Sequence, residues 1–242
     1  MKRLLTLVLL LCSAFTLSAQ EDDYADANLY YTPEQMPDMT KWLPAPPAVG
    51  SQAFKYDVAV YEAGKIIRQT DAEAAAAAKA QSNNKIPNIC KQFSAAFGYE
   101  ISAQTTPQIY LLLNDAIITC VKTVVEPKEY YARPRPYVYF DAATLMPDTE
   151  GRLHKKGSYP SGHTLRGWVA ALLLSEINPA AADDLLKLGY QYGQSRIISG
   201  YHWQSDVDAA RLVAAGAVAQ IHAHPRFVKQ MKRAKREFKH LL

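Results

Sequence analysis

Cysteine is scarce in this chain, which has only three among its 242 residues. Cys12 lies in the apolar N-terminal stretch, so Cys90 and Cys120 are the two that remain for the folded protein. An oxidising compartment permits a disulfide between them. The alternative, which we favour, is two separate buried thiols, because Cys120 lies in an apolar helical stretch and free cysteine is commonly buried.

Long apolar runs are missing after residue 19. The best candidate, residues 109–125, is interrupted by Asn114, Asp115 and Lys122. A membrane-spanning helix needs roughly 18 or more consecutive apolar residues, so the sequence predicts no membrane insertion. Clusters of Asp or Cys with metal-ligand spacing are missing too, and the sequence predicts neither a metal nor a cofactor.

A large net charge is also lacking. The formal charge of the full chain is +4, and loss of Lys2 and Arg3 with the N-terminal stretch would leave +2 (4 − 2). The overall charge therefore gives no indication of a nucleic-acid partner.

The N-terminus has the pattern of a secretory signal peptide. Lys2 and Arg3 precede an apolar run from Leu4 to Leu11, and small residues follow up to Ala19. We expect a signal peptide over residues 1–19 and a periplasmic or secreted protein. A lipoprotein site at Cys12 is the weaker alternative, because a bulky leucine precedes it.

The rest of the chain divides into two parts. Residues 20–50 are rich in Pro and Tyr and should run extended over the surface or across a partner subunit. Residues 51–242 read as one helical domain, with strong helix formers over 71–79 and prolines that fit first helical turns near 87 and 107.

The apolar periodicity after residue 160 is helical throughout. Five apolar residues follow the spacing of one helix face: Leu165, Trp168, Val169, Leu172 and Leu173. Further helices are expected over about 180–198 and around 207–221. Without any useful strand alternation, the sequence predicts an all-α fold, a single-domain helical bundle.

A basic stretch follows Pro225, with seven Lys or Arg residues up to Lys239. One interpretation is a patch for an anionic surface or nucleic acid. The one we favour is an amphipathic terminal helix with solvated cations, because four apolar residues form a clear inward stripe: Phe227, Met231, Ala234 and Phe238.

Three short blocks carry the chemistry. They are Lys128 with Arg135-Pro136 seven residues on, Pro160-Ser161-Gly162-His163, and Ser195-Arg196 followed by His202 and Asp206. Ser161 and Gly162 precede a helix whose first amides can point at an anion. Lys128, Arg135 and Arg196 supply permanent cations, and the two arginines can each hold a pair of phosphate oxygens.

The histidines complete a phosphoryl-transfer set. His202 and Asp206 are four residues apart, so in a helical turn they would share a face and the carboxylate would fix the imidazole tautomer. His202 is then the predicted nucleophile, and His163 the general acid and later the base. A mildly acidic optimum follows, because His163 must begin protonated and His202 neutral.

The three blocks resemble the tripartite motif of the type-2 phosphatidic acid phosphatase and vanadate haloperoxidase superfamily. The string over residues 157–164 is similar to that of the bacterial class A non-specific acid phosphatases. The resemblance implies His202 as nucleophile, Asp206 as its partner and His163 as proton donor. It also implies phosphate binding by Lys128, Arg135, Ser161, Gly162, His163 and Arg196. Arg133, in a second Arg-Pro pair, is interpreted as a cation at the rim.

We therefore expect a metal-independent acid phosphatase that acts on small phosphate monoesters through a phosphohistidine. Alternatives are a vanadate-dependent haloperoxidase, a lipid or isoprenoid phosphate phosphatase, and a non-enzymatic phosphate-binding protein. The last would not need His202 and Asp206. A homodimer or higher homo-oligomer is expected on general grounds.

Overall fold

The computed structural model describes residues 27–242, so the predicted signal peptide lies outside it. The helices are α1 Met39–Trp42, α2 Gln52–Thr70, α3 Ala72–Ala80, α4 Ile86–Phe97, α5 Pro107–Val121, α6 Val125–Tyr131, α7 Pro136–Tyr139, α8 Glu150–Leu153, α9 Gly162–Ile177, α10 Ala182–Ile198, α11 Gln204–His222 and α12 Pro225–Lys239. No strand occurs within the described residues. The predicted all-α fold is confirmed.

Helix boundaries follow local chemistry. Ser51 caps α2 by accepting a hydrogen bond from the amide of Phe54 at 3.1 Å. Asp71 ends α2 and caps α3, accepting from the amide of Ala74 at 2.9 Å. Gly200 follows α10 with a φ of +83°, a conformation that favours glycine and turns the chain toward His202.

Helix α9 lies at the centre of the bundle and contacts α4, α5, α10, α11 and α12. Its packing against α10 is close because each helix places a glycine against a side chain of the other. A Cβ atom on Gly167 would lie 2.6 Å from the ring of Tyr192, and one on Gly189 would lie 2.5 Å from Ala171 Cβ. The two helices that carry the second block and Arg196 are thereby fixed against each other.

The two cysteines are separate buried thiols in α4 and α5, the alternative that the sequence analysis favoured. Burial raises the pKa of Cys90 to about 12 and raises that of Cys120 further. The thiols therefore pack as small apolar groups.

The N-terminal segment packs more deeply than its composition suggested. Four of its side chains are buried in the main hydrophobic core: Tyr30, Met36, Met39 and Leu43. The Tyr30 hydroxyl donates to Gln230 Oε1 at 2.9 Å, and its amide donates to Thr119 Oγ1 at 3.1 Å. These four side chains thus anchor the segment in the core of its own chain.

The C-terminal helix α12 is amphipathic as predicted. Its apolar stripe is buried: Phe227, Met231, Ala234 and Phe238. Glu237 accepts hydrogen bonds from the amides of Gln108 and Ile109, which ties α12 to the first turn of α5. Five of its seven cations are exposed, as the favoured interpretation requires, whereas Arg226 pairs with buried Asp115 and Lys235 pairs with Glu176.

One stretch of the described residues, Pro107–Tyr139, is long and apolar enough to cross a membrane by length and composition. Two-thirds of its most apolar window (67 %) is buried inside the protein. Core helices of soluble proteins have the same character. The stretch contains α5, α6 and α7, with breaks between them.

Candidate active site

The three blocks meet in one place although they are far apart in the sequence. Lys128 lies in α6 and Arg135 directly precedes α7. Ser161 caps α9, so Gly162 and His163 form its first turn. Arg196 lies in the last turn of α10, His202 lies in the connection to α11, and Asp206 lies in the first turn of α11. The structure thus brings together the predicted site residues, which are buried except for Lys128 and Gly162, both of intermediate exposure.

The amino ends of α9 and α11 are joined directly. The amide of Ser161 donates to the carbonyl oxygen of Asp206 at 3.0 Å. The Ser161 hydroxyl oxygen accepts from the amide of Thr164 at 3.3 Å, which caps α9. The first amides of a helix lack partners within the helix and carry partial positive charge. The Gly162 and His163 amides therefore favour an anion.

His202 and Asp206 make the contact that their spacing suggested, but not within one helical turn. His202 precedes α11, which begins at Gln204, and Asp206 lies in the first turn. Asp206 Oδ2 accepts from the amide of Trp203 at 2.9 Å and from His202 Nδ1 at 3.2 Å. The carboxylate thus caps α11 and holds the imidazole at the same time.

Arg135 shows which nitrogen of His202 carries the proton. Arg135 Nη1 lies 3.1 Å from His202 Nε2. A guanidinium can only donate, so Nε2 accepts and the proton is on Nδ1, toward Asp206. Burial lowers the pKa of His202 well below its usual value, and the charges of Arg135, Lys128 and Arg196 lower it further. His202 is therefore neutral, with its basic nitrogen among cations.

The loop after α8 holds two of the cations. Lys128 Nζ donates to the carbonyl oxygens of Gly157 at 3.0 Å and Ser158 at 3.2 Å. Arg135 Nε donates to the carbonyl oxygen of Lys156 at 3.2 Å. The approach requires glycine, because a Cβ atom on Gly157 would lie 2.2 Å from the carbonyl oxygen of Lys128. The loop backbone thereby fixes Lys128 and Arg135 beside His202.

Arg196 is a buried cation with unused donors. Its Nε and Nη1 have no hydrogen-bond partner within residues 27–242, while the guanidinium lies 4.9 Å from the centre of the Tyr201 ring. Burial, followed by the charge of Arg135, lowers the pKa of Arg196 to about 10, which leaves it charged at any mildly acidic pH. Unsatisfied buried donors are rare, and these two suit an oxyanion.

His163 is held by a residue that the sequence analysis missed. His163 Nε2 lies 2.6 Å from the carbonyl oxygen of Gln81, and its ring stacks on Tyr192 with centroids 5.1 Å apart. The Gln81 side chain in turn accepts a hydrogen bond from the Ser195 hydroxyl. Burial and the charge of Arg196 lower the pKa of His163 well below its usual value. No motif signals Gln81, which follows an alanine-rich helix.

The interpretation of Arg133 as a rim cation is wrong. Arg133 is buried, and its Nη1 donates to Asp206 Oδ1 at 2.7 Å while its Nη2 donates to Asp57 Oδ2 at 2.7 Å. A residue before proline is extended, and side chains two apart on an extended chain project to the same side. Arg133 and Arg135 flank Pro134, so the extended Arg-Pro-Arg sequence could have predicted that both side chains reach the His202–Asp206 pair.

Groups of three or more His, Cys, Asp or Glu side chains arranged to hold a metal ion are absent from the part of the chain that the structure describes. The acidic side chains nearest the pocket are otherwise engaged. Asp206 and Asp57 both bind Arg133.

Comparison with known proteins identifies the family. Residues 108–228, which contain all three blocks, match the PAP2 superfamily. The chain belongs to this superfamily. A non-specific acid phosphatase of Providencia stuartii is 47 % identical over 213 residues, covering 87 % of this chain and 85 % of the relative. The predicted membership, a class A acid phosphatase of the PAP2 superfamily, is confirmed.

More distant relatives agree with this assignment. A non-specific acid phosphatase of Salmonella typhimurium is 37 % identical over 209 residues, covering 86 % of this PAP2 chain and 83 % of the relative. An acid phosphatase of Zymomonas mobilis is 31 % identical over 200 residues, covering 83 % and 75 %. The alignments span most of the chain, well beyond the three blocks.

Proposed function

We propose that this protein hydrolyses phosphate monoesters of broad structure through a phosphohistidine on His202, without a metal ion. The enzyme is an acid phosphatase, the activity for which its relatives are named. The observation that carries the finer proposal is the state of His202, whose Nδ1 is held by Asp206 while the basic Nε2 faces cations. That arrangement suits nucleophilic attack on a phosphate.

In the first step, His202 Nε2 attacks phosphorus and the bond from phosphorus to the ester oxygen breaks. Arg135 moves its Nη1 donor from Nε2 to a phosphate oxygen, which frees the attacking lone pair. The unused donors of Arg196 and the amides at the start of α9 bind the remaining oxygens, where charge spreads in the transition state. The leaving alkoxide takes a proton from His163.

In the second step, His163 accepts a proton from water and the resulting hydroxide attacks phosphorus. The phosphorus–nitrogen bond breaks, its electron pair returns to His202 Nε2, and inorganic phosphate leaves. Asp206 stabilises the charge that His202 carries while it is phosphorylated.

The proton on His163 depends on the substrate. A carbonyl oxygen only accepts, so the contact with Gln81 places a proton on Nε2 and leaves Nδ1 as the atom that gains and loses the second proton. Burial and Arg196 disfavour that second proton. A bound phosphate dianion favours it, because opposite charge within reach raises the pKa of an imidazole. Acidic pH further populates this charged form, consistent with an acidic optimum.

Export and assembly are part of the proposal. The pattern over residues 1–19 supports a periplasmic or secreted enzyme. A homodimer is proposed from the prevalence of such assemblies.

Metal independence is tested most directly with a chelator. Because side-chain cations neutralise the phosphate, EDTA should leave turnover of p-nitrophenyl phosphate within about twofold of the untreated value, and vanadate should inhibit competitively. Initial rates before and after dialysis against EDTA measure this. Activity that is lost with EDTA and restored by zinc or magnesium would contradict the mechanism.

The role of His163 is tested by leaving groups of different basicity. His163→Ala should lower kcat for an alkyl phosphate on the order of 10²–10⁴-fold, because an alkoxide leaves poorly without a proton. The loss should be much smaller for p-nitrophenyl phosphate, since its phenolate is stable. Equal losses for both substrates would remove His163 as the proton donor.

A further inference from the structure

We infer that Arg133 and Asp57 are positioning residues of this phosphatase site, through which helix α2 controls the ionisation and orientation of Asp206. Neither residue belongs to the three blocks. The inference rests on the proposed function, because it assigns a purpose to Arg133, which is two contacts from His202, and to Asp57, which is three contacts away.

The geometry forms a continuous chain of short contacts. Asp57 Oδ2 and Asp206 Oδ1 each accept from a different nitrogen of Arg133, both at 2.7 Å. Asp206 then holds His202 Nδ1 with its other oxygen, at 3.2 Å. The side chains of Arg133, Asp57 and Asp206 are 7 %, 1 % and 0 % exposed, so water hardly screens these charges.

Asp57 is itself held firmly. It lies on the buried side of α2 and accepts from the amide of Ser205 at 2.8 Å and from the Ser205 hydroxyl at 2.6 Å. The same hydroxyl oxygen accepts from Arg133 Nη1 at 2.7 Å. The guanidinium also lies 5.2 Å from the centre of the Trp203 ring, which further limits its movement. Arg133 therefore has one orientation, set by both carboxylates.

Two carboxylates on one guanidinium suit the chemistry better than one. Burial raises the pKa of Asp206 above its ordinary value, and the charge of Arg133 opposes that rise and so favours the ionised carboxylate. Asp57 shares that positive charge, so Arg133 does not cancel the negative charge that Asp206 presents to His202. The pair thus keeps enough negative charge on Asp206 to stabilise a positively charged imidazole.

Other charged and titratable groups lie near Asp206 and His202 and also affect their pKa values. The charge of Lys128 acts on both Asp206 and His202, and the charges of Arg135 and Arg196 act on His202. His163 and the buried phenol of Tyr159 lie nearby. All of these remain in place in the variants below, so a shift between variants reports on the changed residue.

The two residues should affect the pH dependence in opposite directions. Arg133→Gln removes a positive charge, so the pKa values of Asp206 and His202 rise and the acidic limb of kcat/KM moves to higher pH, by about 1 pH unit or more. Asp57→Asn removes a negative charge, so the same limb moves to lower pH. Loss of packing alone would not give shifts of opposite sign.

The experiment measures kcat/KM for p-nitrophenyl phosphate from pH 3 to 8 in wild type and both variants, so that the titration of the substrate is common to all. At the optimum, Arg133→Gln should lower kcat on the order of 10²-fold, as expected when the nucleophile is misplaced. Arg133→Lys, which keeps the charge but contacts carboxylates less well, should restore the position of the limb and only part of kcat.

The matched control is Arg226→Gln. Arg226 also binds a buried aspartate, Asp115 at 2.9 Å, but the pair lies under the N-terminal segment, away from the pocket. This variant should keep the wild-type limb and kcat. Limbs that stay in place or move the same way in Arg133→Gln and Asp57→Asn would overturn the inference. Should Arg133→Gln fail to fold, Asp57→Asn decides: its limb should move to lower pH while that of Arg133→Lys stays at the wild-type position, and an Asp57→Asn limb that stays in place or moves to higher pH would overturn the inference.

Wild type in the same assay separates the two claims. Normal wild-type turnover with unshifted variant limbs contradicts the positioning role alone. Absence of wild-type turnover contradicts the proposed function and, with it, the inference that depends on it.

Discussion

His202→Ala should abolish both turnover and the covalent intermediate. Among the described residues, His202 Nε2 is the only histidine nitrogen in contact with Arg135, so no other histidine can replace it as the nucleophile. Loss of kcat should be on the order of 10⁴-fold or more, the scale seen elsewhere when a nucleophile is removed. Rapid quenching with labelled substrate, followed by a search for acid-labile, base-stable phosphate on the protein, measures the intermediate.

The matched control is His222→Ala. His222 is the last residue of α11, and it pairs with Glu176 at 2.9 Å on the outer side of the bundle. This variant should retain wild-type kcat and form the intermediate. In His163→Ala the intermediate should still form, and more slowly with alkyl phosphates. Phosphate trapped on His202→Ala but never on His163→Ala would exchange the roles of the two histidines.

Asp206→Asn should lower kcat by roughly 10²–10⁴-fold, by analogy with the carboxylate–histidine pair of serine proteases. Asp206 uses Oδ1 for Arg133 and Oδ2 for His202. An asparagine amide has one oxygen and one NH₂ group. Either the Arg133 guanidinium or His202 Nδ1, both of which donate to Asp206, would therefore face the NH₂ group, which is itself a donor. If the NH₂ group faces His202, it selects the tautomer with the proton on Nε2 and removes the nucleophile.

Inhibition by inorganic phosphate is the binding control, and its inhibition constant should change little in Asp206→Asn. Asn is about as good a helix cap as Asp, so a capping role alone predicts almost no loss of kcat. Asp208→Asn is a matched variant two residues along α11, where Asp208 is 55 % exposed and pairs with Arg211 at 2.8 Å. It should behave as wild type. Near-wild-type kcat in Asp206→Asn would remove Asp206 from the catalytic set.

Local pattern explains most of what the sequence predicted of the fold. The apolar spacing over 165–173 identified α9, and Asn178-Pro179 correctly marked its end at Ile177. The stripe of α12 was equally clear, because each inward residue repeats at helical spacing. These signals depend only on residues close in the sequence, so they predict the helices without knowledge of tertiary contacts. The N-terminal segment lacked such a period, and the burial of Tyr30 could not be read from it.

The site divides in the same way. The three blocks could be recognised from the sequence because the residues of each block have a fixed spacing within one turn or helix end. The contacts of Gln81 with His163 and of Asp57 with Arg133 join residues 82 and 76 positions apart. No local pattern encodes such pairs. The His202–Asp206 contact was predicted from a helical turn, yet it forms through a helix cap, which has similar spacing but different backbone geometry.

The unused donors of Arg196 couple catalysis to the stability of the whole chain. The cations Lys128, Arg135 and Arg196 repel one another in the folded state and separate on unfolding, so their repulsion opposes folding until an anion enters the pocket. An anion that binds only the folded chain adds about 2.7 kcal/mol at a concentration one hundred times its Kd. The free energy of unfolding therefore depends on the phosphate concentration in the medium as well as on the sequence. Phosphate that accumulates as product should inhibit the enzyme and, at the same time, stabilise its fold.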